Sequence, residues 1–251
     1  MIPFVCSVYF VVNNNMFTEL KTEVCRVNKS LVDSGLVILT WGNVSGVDRK
    51  AGVMAIKPSG VPYDKLTPDD IVVLKIADGT VVEGKYRPSS DTATHLHLYR
   101  AFPNIGGVVH THSRHATAWS QAGRELPCYG TTHADHFGGT VPCARFLTKA
   151  EIDGGYEANT GVVIEECFKE CFKQRGITAD DVPGVLLHGH APFTWGGTPQ
   201  KALDNSVALE ACAQMAFEML LLNPQAQPLP EIILNKHWNR KHGPGAYYGQ
   251  K

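Results

Sequence analysis

Apolar residues at Phe17, Leu20, Val24, Val27 and Leu31 recur at intervals of three and four, which marks one face of a helix that stops at Gly35. Downstream the period shortens. Leu36 to Thr40 reads as a strand running into the loop Trp41-Gly42-Asn43, and Val53 to Ile56 as another ending in the polar turn Lys57-Pro58-Ser59-Gly60. Ile71 to Ile76 and Thr80 to Val82 flank Asp78-Gly79, a hairpin signal, so part of the sheet is predicted antiparallel. Ser89-Ser90 ahead of residues 91–101 predicts a capped helix start with free backbone N–H groups. Further helices are predicted over 114–122, 160–174, 200–222 and 231–240. Gly106 to Val109 and Val185 to Leu187 are short apolar runs of the buried-strand type. Within the helix over 160–174, Glu166-Cys-Phe-Lys169 is repeated at once as Glu170-Cys-Phe-Lys173. At about 100° per residue, four residues add one turn and roughly preserve the buried face, so the repeat reads as a local helix extension.

Strand and helix signals alternate without a Pro- or Ser-rich linker, which predicts an α/β fold: a three-layer α/β/α arrangement around a central mixed, mostly antiparallel sheet. Residues 16–251 are expected to form a single catalytic domain. Residues 1–15, where the apolar run Met1 to Val12 is broken by Asn13-Asn14-Asn15, are expected to be an extension outside the fold. That opening run lacks a basic flank and a cleavage site and is too short to span a bilayer, which argues against a secretory signal or a membrane partner. A net charge of -1 offers no nucleic-acid footprint, so the partner is sought among small molecules. Seven cysteines form an odd set without a Cys-x-x-Cys pair, as expected for reduced thiols in the cytoplasm.

Candidate chemistry starts at His110-Thr111-His112, which follows the apolar run 106–109 and is answered far downstream by His188-Gly189-His190 after the run 185–187. Alternation on a strand turns His110 and His112 to the same side, and a third imidazole from another strand end completes a three-nitrogen metal site. A single histidine is more often a packed core or surface residue; the paired placement is what favours a metal. Asn43, Lys57 with Ser59-Gly60, and Ser89-Ser90 supply amide, ammonium, hydroxyl and helix N–H donors suited to a phosphate dianion, although each turn taken singly is also ordinary turn or cap chemistry. Asp91 reads equally as a fourth, exchangeable metal ligand or as a first-turn carboxylate stabilised by the helix dipole. Thr131 to His136 packs ionisable groups into a non-periodic stretch. His237 and Arg240, three apart, share a helix face that suits anion binding or solvent, and the tail carries Tyr247-Tyr248.

Taken together, Thr40 to Arg49, Ile56 to Val61, Pro88 to Thr92, Gly106 to His115, Gly130 to Asp135, Lys241 to Gly243 and Ala246 to Gln250 resemble the motifs of the class II sugar-phosphate aldolase and epimerase family, the epimerases most nearly. The resemblance runs from Met16 to the C-terminus, and the doubled Glu-Cys-Phe-Lys is an insertion against it. It implies zinc or a similar divalent ion such as manganese, held by His110, His112 and His190, with Asp91 at the carboxylate ligand's position and His188 not ligating. It places Asn43, Lys57, Ser59, Gly60, Ser89 and Ser90 around the substrate phosphate. Asp135 and Tyr248 match the acid/base pair, while His237 and Arg240 match residues lining the site. The implied reaction inverts C4 of a pentulose 5-phosphate by retro-aldol cleavage of C3–C4, rotation of the aldehyde and re-addition, with no redox cofactor. The implied assembly is a homotetramer with active sites at subunit interfaces, the tail tyrosine serving a neighbour's site. Competing expectations are an aldolase that releases the aldehyde, a binding module like the adducin head, and a metallohydrolase. The last would need an aspartate where Arg114 stands.

Overall fold

The structure, a computed structural model, describes residues 17–248. The proposed extension over 1–15 lies outside the described residues. In chain order the elements are α1 (Thr18–Asp33), β1 (Gly42–Asp48), β2 (Val53–Ile56), β3 (Val72–Lys75), β4 (Val81–Glu83), α2 (Thr92–Ala101), β5 (Gly107–Thr111) and α3 (Arg114–Gln121). They continue with α4 (Thr131–Ala134), β6 (Cys143–Ala144), α5 (Lys149–Asp153), α6 (Tyr156–Arg175), β7 (Gly184–Leu187), β8 (Pro192–Gly196), α7 (Pro199–Leu222) and α8 (Glu231–His242). Eight strands make one sheet in the order β4-β3-β2-β1-β5-β8-β7-β6. The β6–β7 pair is parallel and the others are antiparallel, which is the mixed sheet expected.

Both faces of the sheet are covered, and the side-chain period of two sorts its residues between them. In β2, Val53 and Ala55 join the apolar cluster of Val24 and Cys25 from α1, whereas Met54 and Ile56 join Leu96 and Leu98 from α2 and Ile164 and Phe168 from α6. Val44 of β1 and Val109 of β5 pack beneath Leu31 of α1 and Leu203 of α7. The result is α1 and α7 on one side, α2 and α6 on the other, with the sheet between.

The strand expected over Leu36 to Thr40 is not one. The helix α1 ends in Ser34-Gly35 with Gly35 at φ 68°, and the chain then turns through Leu39 at φ 56°. Ile38 and Leu39 are exposed. The strand begins instead at Gly42, within the segment expected to be a loop, and occupies the middle of the sheet. Its small and polar residues answer to tight packing: a Cβ on Gly46 would lie 2.7 Å from Pro199 Cγ and 3.1 Å from Val24 Cγ2. Buried Ser45 is satisfied by the His95 ring at 2.6 Å and the Tyr99 hydroxyl at 2.9 Å.

The hairpin at Asp78-Gly79 forms, with Gly79 at φ 76° and the Thr80 N–H donating to Asp78 Oδ1 at 2.8 Å. The helix expected over 160–174 starts earlier, at Tyr156. Its repeat does not keep one buried face. Phe168 is 4% exposed and Phe172 is 61% exposed, because four residues overshoot a turn by about 40°.

Candidate metal and phosphate site

His110 sits near the end of β5, in register with Asn43 of β1 on one side and Phe193 of β8 on the other. Its ring stacks on Phe193 with centroids 4.2 Å apart. Its Nδ1 lies 3.0 Å from the Pro192 carbonyl, which only accepts, so Nδ1 carries the hydrogen and Nε2 presents a lone pair. Two residues on, His112 emerges on the same side and brings its Nε2 within 3.2 Å of that atom. His190 comes from the turn after β7, where Gly189 adopts φ 74° and a Cβ would lie 2.4 Å from Phe146. The His190 Nδ1 is engaged by the Tyr156 hydroxyl at 2.8 Å, so Nε2 is the nitrogen left to ligate.

The three imidazoles each offer a ligand atom, all within 4.8 Å of one another, the one such group among the described residues. Ring centroids are separated by 4.9, 5.1 and 5.0 Å. Nitrogens at about 2.1 Å from a common metal, at tetrahedral angles, would put ring centres about 5.3 Å apart. Burial also pushes the basicity of His112 and His190 down to about 4, the neutral form that a metal requires. The donor set therefore fits a divalent cation.

Asp91, the residue before α2, lines the same cavity, but its carboxylate is not among the atoms brought within that distance. Its Oδ2 accepts from the Asn43 amide at 2.6 Å. Burial works to raise its carboxyl; the neighbouring His110 and His95 and the Asn43 hydrogen bond outweigh it and hold the group low.

The cavity measures about 640 Å³ and opens at the N-terminal ends of α2 and α6. Asn43, Lys57, Ser59, Gly60, Ser89 and Ser90 all line it, together with His110, His112 and His190. The two turns are stitched to each other: the Ser59 N–H donates to Arg87 O at 3.0 Å and the Ser89 N–H to Lys57 O at 3.1 Å. Lys57 is buried, has no carboxylate partner among the described residues, and packs its ammonium 4.9 Å above the Tyr63 ring. Burial brings its pKa down to about 8. The cavity thus gathers a buried ammonium with the hydroxyls of Ser59, Ser89 and Ser90, a set suited to an anion.

The remaining expected residues form a second cluster. Arg240 clamps Asp135 through Nε at 3.0 Å and Nη2 at 2.6 Å, and His237 Nδ1 adds a contact at 3.1 Å. The Tyr248 ring lies under Arg240, 4.5 Å from the guanidinium. Burial opposes ionisation of Asp135, but Arg240, His237 and Lys241 prevail, so its carboxyl is held below the usual range. None of these four residues lines the cavity of the imidazoles. One chain thus separates the expected metal and phosphate residues from the expected acid/base residues.

Trp41, Tyr156 and Glu157 also line the cavity and were not singled out from the sequence. Tyr156 follows Gly154-Gly155 and carries no spacing relation to the histidines, so only the fold could reveal it. His115, which a metallohydrolase would recruit, instead gives both its ring Nδ1, at 2.8 Å, and its backbone N–H, at 2.9 Å, to Glu210 of α7.

Residues 22–217 match the family model described as class II aldolase and adducin N-terminal domain. The chain is 51% identical over 233 residues, 93% of its length and 99% of the relative's, to L-ribulose-5-phosphate 4-epimerase UlaF of Salmonella paratyphi B. Among solved structures, an L-fuculose 1-phosphate aldolase superposes with a TM-score of 0.73 at 26% identity, covering 88% of this chain and 95% of its own. The L-fuculose-1-phosphate aldolase of Thermus thermophilus shares the fold with a TM-score of 0.61 at 24% identity, over 84% of this chain and 98% of its own.

Proposed function

The chain belongs to the class II aldolase and adducin N-terminal domain family, and from that premise we propose that it interconverts L-ribulose 5-phosphate and D-xylulose 5-phosphate. C3–C4 opens in the retro-aldol sense, the aldehyde turns, and re-addition to its other face inverts C4. The observation that carries this reading is the meeting of three imidazoles in one cavity with the Lys57 ammonium, which has no carboxylate partner among the described residues. The 51% identity to a protein named for this reaction supports it.

His110, His112 and His190 would hold a divalent cation, zinc or manganese, through their Nε2 atoms, with Asp91 as an exchangeable fourth ligand. When bound, that ion supplies positive charge to stabilise the oxygens on C2 and C3 while the carbon–carbon bond is open. Lys57, Ser59, Gly60, Ser89, Ser90 and Asn43 grip the phosphate. That grip retains the two-carbon aldehyde after cleavage, which separates an epimerase from an aldolase. Asp135 and Tyr248 move the proton at the C4 oxygen, one from each side, because that oxygen lies on opposite sides in the two epimers. Asp135, held ionised by Arg240 and His237, is suited to accept the proton. Since the Asp135 cluster does not line its own chain's cavity, it serves the cavity of a neighbouring copy in a homotetramer with sites at subunit interfaces. Residues 16–251 act as a single catalytic domain without a redox cofactor. The six described cysteines are free, in keeping with a place in the cytoplasm.

The test is conversion of L-ribulose 5-phosphate to D-xylulose 5-phosphate with and without a chelator, following free glycolaldehyde phosphate. Chelator-sensitive conversion without aldehyde release is expected. Steady accumulation of the aldehyde would make the protein an aldolase, and unimpaired turnover after metal removal would remove the imidazole centre from the mechanism.

A further inference from the structure

The doubled Glu-Cys-Phe-Lys plays no part in the proposed reaction, yet it builds a feature of its own. It sets Cys171 one turn after Cys167 on α6, so that the two side chains are neighbours on one helix face, with Cβ atoms about 5–6 Å apart. Both are half-buried and line a cavity of about 400 Å³ with Cys143 of β6, Glu125, Arg145 and Glu170. The two thiols differ in character. The neighbouring Cys167 thiol and the charge of Arg175, itself paired with Glu125 at 3.0 Å, lower the Cys171 thiol against its burial and the charges of Glu125 and Glu170, while its partner Cys167 is raised. Burial pushes Cys128 and Cys143 up to about 11 and Cys212 up to about 12, so Cys171 is the one described cysteine whose thiolate is favoured.

We propose that Cys171 and Cys167 form an oxidant-reactive dithiol site, Cys171 as the attacking sulfur and Cys167 as the resolving one, with small hydroperoxides as its substrates. The Cys171 thiolate attacks the terminal peroxide oxygen; the O–O bond breaks, the departing alkoxide or hydroxide takes up a proton, and Cys171 becomes a sulfenic acid. Cys167 sulfur then attacks that sulfur, the S–S bond forms, the S–O bond breaks, and hydroxide leaves with the Cys167 proton as water. Two thiols and one hydroperoxide yield one disulfide, one alcohol or water, and one water, with two electrons passing from sulfur to oxygen. A disulfide requires Cβ atoms about 3.8 Å apart, closer than a regular helix places them, so the turn of α6 between the two cysteines must tighten. A bond closed against that strain is readily reduced, which makes the modification reversible.

Full-length protein treated with one equivalent of hydrogen peroxide, blocked with N-ethylmaleimide and digested with trypsin supplies the test. Cleavage after Lys169 separates the two cysteines, so the expected product is a cross-linked peptide pair two hydrogens lighter than the sum of its parts, which dithiothreitol splits. In Cys167→Ser, dimedone should label Cys171 as a sulfenic acid; in Cys171→Ser, peroxide should leave Cys167 unmodified. Without any substitution, limiting iodoacetamide at neutral pH should alkylate Cys171 at least about tenfold faster than Cys143. A disulfide to Cys143 instead, equal alkylation of the two, or no cross-link with Cys171 driven to the sulfonic acid would each overturn the assignment.

Discussion

Lys57 offers a prediction whose size can be worked from the structure. Its ammonium is buried beside the 57–60 turn, with the Pro58 carbonyl at 3.3 Å as its hydrogen-bond acceptor and the Tyr63 ring beneath it. The fall from 10.5 to about 8 corresponds to at most about 3.5 kcal/mol of bias against the charged form, less because water in the open cavity screens it. A phosphate dianion in the cavity would reverse that bias. A lysine is charged below its pKa, so the free enzyme loses its cation as pH rises through about 8, whereas the substrate complex keeps it longer. In a pH series from 6.5 to 9.5, kcat/KM should fall about tenfold per unit above the break, with kcat holding to higher pH. Lys57→Met removes a charge-assisted contact of about 1.5–3 kcal/mol and should raise KM roughly ten- to a hundredfold while flattening this limb. Lys57→Arg should flatten it while retaining part of the affinity. A wild-type profile flat to pH 9.5, or a break that survives in Lys57→Met, would refute the assignment of Lys57 to the phosphate.

Three further outcomes are expected. His190→Asn should lower zinc affinity and metal content by plasma mass spectrometry as well as turnover; a variant that keeps both metal and activity would refute ligation. Asp135→Asn should slow turnover far more than it raises KM, and should also loosen α8, losing about 2 kcal/mol of hydrogen-exchange protection over 231–242. Because the folded-state carboxyl lies below its unfolded value, the Asp135 contribution to that protection is present above about pH 4 and lost as pH falls through the folded value; a variant matching wild type at pH 7 would refute the clamp. Gly107→Ala places a Cβ 2.4 Å from the Pro199 nitrogen, a backbone atom that cannot swing aside, and should cost roughly 1–3 kcal/mol in urea unfolding, whereas an unchanged midpoint would contradict this contact.

The chemistry of this chain was more legible than its sheet. His110 and His112 follow from strand alternation alone, and the structure brings His190 to them because the turn after β7 lies beside β5 across β8. The polar turns were readable as donor clusters, although only the hydrogen bonds between 57–59 and 87–89 show that they face one cavity. The central strand was illegible for a physical reason. Between two covered faces β1 carries Asn43, Ser45 and Gly46, chosen for fit against Asp91, His95 and Pro199, so no hydrophobic period survives. The apolar residues Leu36 to Leu39 imitated the missing signal nearby. In the same way β8 opens with Pro192, a poor strand residue whose carbonyl nonetheless fixes the ring of His110. The Asp135 cluster depends on α8 folding back over α4, a long-range contact that local pattern does not encode.

The pairing of Asn43 with His110 across β1 and β5 fixes more than two side chains. Asn43 at one end of the cavity and His110 at the other are graduations on one backbone ruler, held by ladder hydrogen bonds, while the turns at 57–60 and 89–90 and His190 are set around it. To lengthen that spacing along the ladder, a strand would have to slip by one residue, and a slip of β5 would turn His110 to the opposite face of the sheet, away from His190. Selection for a new chain length would therefore act first on the turns at 57–60 and 89–90, leaving the ladder as the invariant scale.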